Sequence, residues 1–208
     1  TIFATSERYT GDLVSEAQEL SYSGEDGLEA ADYICQYHAD EADLKGTYKA
    51  VLSSSEVNAN ARITTSLGPY RQVTGTPVAE NYAALFSTRS GASSDPELPP
   101  IQLISPVIRT ELGEWWGRPG SPFLRRVWTG SNSLGENLRI GPGSSGAIIP
   151  NLTTCNDWTD DGDGTDECEM SDGGPCAISG LMTSSTVSWL REGPESCHVE
   201  RRLYCAEQ

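Results

Sequence analysis

Five of the six cysteines fall in the last quarter of the chain, at Cys155, Cys168, Cys176, Cys197 and Cys205; Cys35 alone lies near the start. None belongs to a C-x-x-C pair, and with only two histidines, His38 and His198, a Cys/His zinc site has little to draw on. Disulfides formed in an oxidising compartment are the better reading. Between these cysteines runs the acidic stretch D-D-G-D-G-T-D-E, Asp160 to Glu167. Its carboxylates repel one another and its glycines favour turns, so it needs full solvation or a bound cation. The C-terminal quarter therefore reads as an irregular, covalently pinned segment presented by the rest of the chain.

Charge narrows the partners. The 208 residues carry 14 Lys and Arg against 30 Asp and Glu, a formal net charge of -16. Bulk attraction to nucleic acid, to heparin-like polymers or to anionic lipid is disfavoured. A cation, a neutral glycan or a basic partner fits better. No apolar stretch is long enough to span a membrane, so no membrane insertion is expected. No signal-peptide pattern is visible. Thr1 reads as the start of a mature fragment or an excised domain, such as the head of a larger protein.

The hydrophobic pattern predicts an α+β chain of one domain, 1–208. Thr1 to Thr5 reads as a strand, followed by a turn. Asp26 is an N-cap with Glu29 three residues on. Leu28, Ala31, Ile34 and Cys35 then recur at helical spacing, and the helix runs to about Asp43 with Gly46 ending it. Thr47 to Leu52 reads as a strand with Tyr48, Ala50 and Leu52 on one face. Ser53 to Ser55 can cap a second helix, Glu56 to about Thr64, with Val57 and Ala61 inward. Short strands are expected at Tyr70 to Val73 and Thr76 to Val78, and a helical turn within Ala79 to Phe86. Ser87 to Pro100 and Glu111 to Pro122 read as loop, the second with Trp115-Trp116. Val127 to Thr129, Ala177 to Leu181, Ser185 to Leu190 and Arg202 to Ala206 read as strands. Both chain ends carry regular structure, so the simplest packing closes them together, with Cys35 and Cys205 as partners.

The run A-A-D-Y-I-C-Q-Y-H-A-D-E-A-D-L-K-G-T-Y-K-A-V-L-S-S-S, Ala30 to Ser55, resembles the endostatin-type branch of the C-type lectin-like superfamily, and bacterial secreted or surface domains of that fold. Y-R-Q-V-T-G-T-P-V-A (Tyr70 to Ala79), V-W-T-G-S-N-S-L-G (Val127 to Gly135), T-C-N-D-W-T (Thr154 to Thr159) and R-L-Y-C-A-E-Q (Arg202 to Gln208) follow in the same order. The resemblance implies two helices, a small mixed antiparallel sheet joined at its termini, and a long irregular loop region, about 131–190. It also implies the pairs Cys35–Cys205, Cys155–Cys197 and Cys168–Cys176. Two departures matter. No E-P-N or Q-P-D occurs, and the nearest approach to the adjacent W-N-D is Asn156-Asp157-Trp158. The calcium-dependent sugar site of such lectins is therefore not carried over, and neither is a heparin patch.

The site residues follow from these points. Asp160, Asp161, Asp163, Asp166 and Glu167 are the oxygen donors of an irregular loop that would suit calcium. An EF-hand is excluded, because its first and last positions would be Thr159 and Met170. Trp115, Trp116 and Trp189 are stacking platforms for a sugar ring or an apolar patch, while Trp128 and Trp158 belong to the core. Asn156 and Asp157 complete the ligand-binding set. No catalytic residue is assigned: each histidine adjoins a cysteine expected to be paired, and no G-x-S-x-G or phosphate loop occurs. The expected function is a secreted or cell-surface adhesin-like module, extracellular or periplasmic, binding a glycan or a cell-surface protein at a fibre tip. The alternative is a structural head that drives oligomerisation, a homotrimer being the natural assembly. An enzyme on this fold is the least favoured reading.

Overall fold

The computed structural model describes residues 1–66, 68–86, 102–115, 125–137, 153–162, 168 and 176–208. The architecture is α+β, organised on the last strand. Strand β8 (Arg202–Glu207) takes β1 (Ile2–Ala4) antiparallel along one edge, with Phe3 opposite Cys205. Its other edge is shared. Strand β2 (Tyr48–Ala50) runs antiparallel against the end of β8, and β5 (Arg126–Trp128) runs parallel against its beginning. The sheet continues through β6 (Cys176–Leu181) to β7 (Gly193–Ser196), giving the order β1-β8-β5-β6-β7. A separate hairpin joins β3 (Tyr70–Arg71) to β4 (Pro77–Ala79).

Alternation along the strands divides the core in two, because successive side chains point to opposite faces of a sheet. Phe3, Ala50, Leu203 and Cys205 face one apolar cluster; Ile2, Ala4, Val51, Tyr204 and Ala206 face the other. The first cluster is covered by helices α1 (Leu13–Glu19) and α2 (Gly27–Glu41). Helix α2 starts where the spacing predicts: the Asp26 carboxylate accepts the Glu29 amide at 2.8 Å, filling an orphan donor of the first turn. Ala30, Ala31, Ile34, Cys35, His38 and Ala39 form its buried stripe. Helix α1 escapes the sequence expectation, although Asp12 caps it in the same way through the Ser15 amide.

Three disulfides close the chain, with the partners that the resemblance implies. Cys35–Cys205 ties α2 to β8 across 170 residues, a constraint on the unfolded chain of about 5 kcal/mol in the loop-closure account. Cys155–Cys197 and Cys168–Cys176 bind the C-terminal region. No free cysteine remains, which fits an oxidising environment. Among the described residues, no helix is long and apolar enough to cross a membrane.

Three local expectations change. The second helix is only α3, Ala59–Arg62, because the Ser54 hydroxyl caps the Glu56 and Val57 amides in a turn before it. Ala59 and Ile63 point inward there, while Val57 and Ala61 are exposed. Ser185 to Leu190 is not a strand: Val187–Trp189 forms a 3₁₀ turn capped by the Thr186 hydroxyl on the Ser188 amide. Helix α4 (Tyr82–Leu85) supplies the expected short turn.

Candidate recognition surface

Two features stand out from this base: a left-handed turn after Thr154 and the loop that carries Trp115. Cys155, Asn156, Asp157 and Trp158 have φ of 48°, 51°, 57° and 69°, one turn of left-handed helix without a glycine. That conformation costs L-residues roughly 1–2 kcal/mol each, less for Asn and Asp, whose side chains bond locally. Its neighbours hold it. Cys155 is bound to Cys197, and Trp158 is fully buried with its indole N–H donating to the Ser53 carbonyl at 2.8 Å. The Asp157 carboxylate accepts the Ser55 amide and hydroxyl, both at 2.6 Å, and the Thr154 hydroxyl at 3.0 Å. Helix α2 reaches the turn at Gly27, where a Cβ would lie 2.1 Å from the Asp157 carbonyl oxygen. Only glycine fits that approach.

Both oxygens of Asp157 are thus engaged within the chain, and its role is to fasten the turn. Asn156 is exposed, its amide donating to the Thr159 hydroxyl. Asp160 is exposed and accepts the Gly162 amide at 2.8 Å, while Asp161 is half-buried. Asp163, Asp166, Glu167 and Trp116 lie outside the described residues. Among those described, no three His, Cys, Asp or Glu side chains converge to hold a metal ion. A cleft beside the turn, lined by Asp26, Leu28, Ser54, Glu56, Val57 and Asp157, has a volume of about 130 Å³. Pockets that engulf small ligands run to about 300–1,000 Å³, so this cleft would hold only part of one.

Trp189 does not serve as a platform. It is fully buried in the second cluster, 5.4 Å from Tyr204 between ring centroids, because its 3₁₀ turn lies over the sheet rather than at its rim. Trp128 and Trp158 are core residues 6.0 Å apart, and the Trp128 indole donates to the Tyr9 carbonyl.

Trp115 is 49% exposed and Leu112, on the same loop, 59%. The loop is well ordered by its own bonds. Arg109 bridges Trp115, the Thr110 amide donates to the Glu114 carbonyl, and the Gly113 amide returns to the Thr110 carbonyl, with Gly113 at φ 75°. It is stitched to β1, whose Ala4 amide donates to the Arg109 carbonyl at 2.9 Å.

Inward, the same loop sends Glu111 into the base, 5% exposed. One oxygen accepts the Ser6 amide at 2.9 Å and the other lies 3.2 Å from His38 Nδ1. His38 Nε2 in turn lies 2.5 Å from the Tyr9 hydroxyl. A carboxylate only accepts, so Nδ1 carries a proton; in the neutral ring Nε2 then accepts from the Tyr9 hydroxyl. Burial pushes the Glu111 carboxyl up, but the bonds from His38 and Ser6 together outweigh it, leaving the group below the usual glutamate value. Burial also raises the Tyr9 hydroxyl, and the carboxylates of Glu7, Glu111 and Glu16 raise it further. Sequence reasoning set His38 aside as a neighbour of a paired cysteine; its partner Glu111 lies 73 positions away and carries no local signal. His198 is exposed. A comparison of the chain with protein-family models finds no match, and a comparison with curated proteins finds none either.

Proposed function

We propose that the chain is an extracellular recognition module of C-type lectin-like fold, one domain binding a neutral glycan or a cell-surface protein. The observation that carries this is the loop 109–115. It exposes the Trp115 indole and, three residues before it, Leu112, while its backbone is bonded to β1 and Glu111 is bonded inside the base. A rigidly held indole stacks on a sugar ring or an apolar patch with little ordering cost. The net charge of -16 favours a neutral or basic partner over an anionic one. The joined chain ends, the mixed sheet and the nested disulfides support the lectin-like fold. The acidic stretch beyond Thr159 is the place where calcium would contribute.

The test is a glycan array probed with the native protein and with Trp115→Ala, each with and without a chelator. Binding by the native protein that falls at least tenfold in the variant, at unchanged melting temperature, supports the proposal. Equal binding by both refutes the role of Trp115, and the chelator arm decides separately whether calcium takes part.

A further inference from the structure

We infer that Glu111 and His38 form a buried, pH-sensitive latch that positions the Trp115 loop. This rests on Trp115 as the contact residue, but its geometry is independent of any ligand. Apart from Thr110, Glu111 is the one fully inward side chain of the loop 109–115. Its carboxylate bonds Ser6, in the segment after β1, and His38 on α2, so a single group joins three parts of the chain. His38 is buried with it and relays the contact to Tyr9.

The surroundings explain why charge matters. From β8, the buried Arg202 guanidinium donates to the Thr5 and Glu7 carbonyls; burial and the charge of Arg8 together lower it to about 10, against the opposite pull of Glu111 and Tyr9. Glu7 and Arg8, beside Tyr9, are exposed, and Glu16 on α1 is held by the Thr10 amide and hydroxyl. Tyr37 meets His38 edge-on. The Glu111 carboxylate therefore acts on Arg202 as a nearby negative charge. Protonating it weakens two charge-assisted hydrogen bonds and removes a negative charge that favours the Arg202 cation. The sign follows: the folded carboxyl lies below its unfolded value, so the latch is complete above the ordinary glutamate range. It is lost as pH falls through the lower, folded value. Neutral pH presents Trp115 rigidly; strong acid frees the loop.

Amide hydrogen exchange, corrected for the intrinsic rate at each pH, tests this on the intact protein. The readouts are the loop amides of Gly113 and Glu114, with Ile34 in α2 as the reference for global unfolding. Protection in the loop should fall about ten- to a hundredfold through the titration of the Glu111 carboxyl carbon signal, as loss of hydrogen bonds to a charged group implies. Ile34 should stay protected. Glu111→Gln should show the low value already at neutral pH and no further acid dependence. Native protection that stays flat while the Glu111 signal titrates overturns the latch, and this needs no variant to fold. Should Trp115→Ala keep the acid transition yet bind the array glycan as the native protein does, the recognition reading fails and the latch stands.

Discussion

Replacing Asp157 measures what holds the left-handed turn. Asp157→Ala removes the acceptors of the Ser55 amide and hydroxyl, both 2.6 Å away, and of the Thr154 hydroxyl. Hydrogen bonds to a charged group contribute about 1.5–3 kcal/mol, and the half-exposed site lets water replace part of that, so about 2 kcal/mol is lost here. Alanine also tolerates φ of 57° less well than aspartate, adding about 1 kcal/mol. The total, about 3 kcal/mol, lowers a urea midpoint by about 1.5 M for a slope near 2 kcal/mol/M. Asp157→Gly loses the same bonds but suits positive φ, so it should be about 1 kcal/mol more stable than the alanine variant. Equilibrium urea unfolding under non-reducing conditions reads both. An alanine variant within about 0.5 kcal/mol of native, or a glycine variant no better than alanine, would refute the reasoning.

Gly27→Ala drives a Cβ into the Asp157 carbonyl and Trp158, and neither backbone group can yield without disturbing the turn. Overpacking of this kind costs about 1–3 kcal/mol, so calorimetry should find the melting temperature lowered by about 2–12 °C despite alanine's better helix propensity. Two tryptophan-to-phenylalanine changes give a contrast. Trp158 donates to Ser53, whereas the buried indole nitrogen of Trp189 has no hydrogen-bond partner. In denaturant unfolding Trp158→Phe should cost about 1 kcal/mol more than Trp189→Phe, and equal costs would argue against the Ser53 bond.

What could be read from the chain alone was what depends on neighbours in sequence. Helix α2 was legible because the Asp26 cap and the apolar stripe lie within a few turns. Strand β8 was legible as the final strand, Arg202 to Ala206, while its pairing partners and register were not. The link of Cys35 to Cys205 followed from the need to pack two structured ends. Helix α1 was missed because Leu13 and Ala17 offer too short a stripe, and the Asp12 cap was taken into the preceding turn. Glu56 to Thr64 was overread because serines that cap a helix also cap a turn. Trp189 was misjudged since alternation around it says nothing about which element lies above it. The left-handed turn depends on Cys197, Ser53, Ser55 and Gly27, all distant in sequence, with Asn156 and Asp157 the only local hint. The Glu111–His38 contact is set by how loop 109–115 lies on α2, and no periodicity encodes that.

The most direct measurement is the indole ¹⁵N spectrum of the protein titrated with the glycan that binds best on the array. The account predicts that the Trp115 signal shifts on saturation while those of the buried Trp128, Trp158 and Trp189 stay in place. A still Trp115 signal, with glycan bound and any of the three core indoles moving instead, would contradict it.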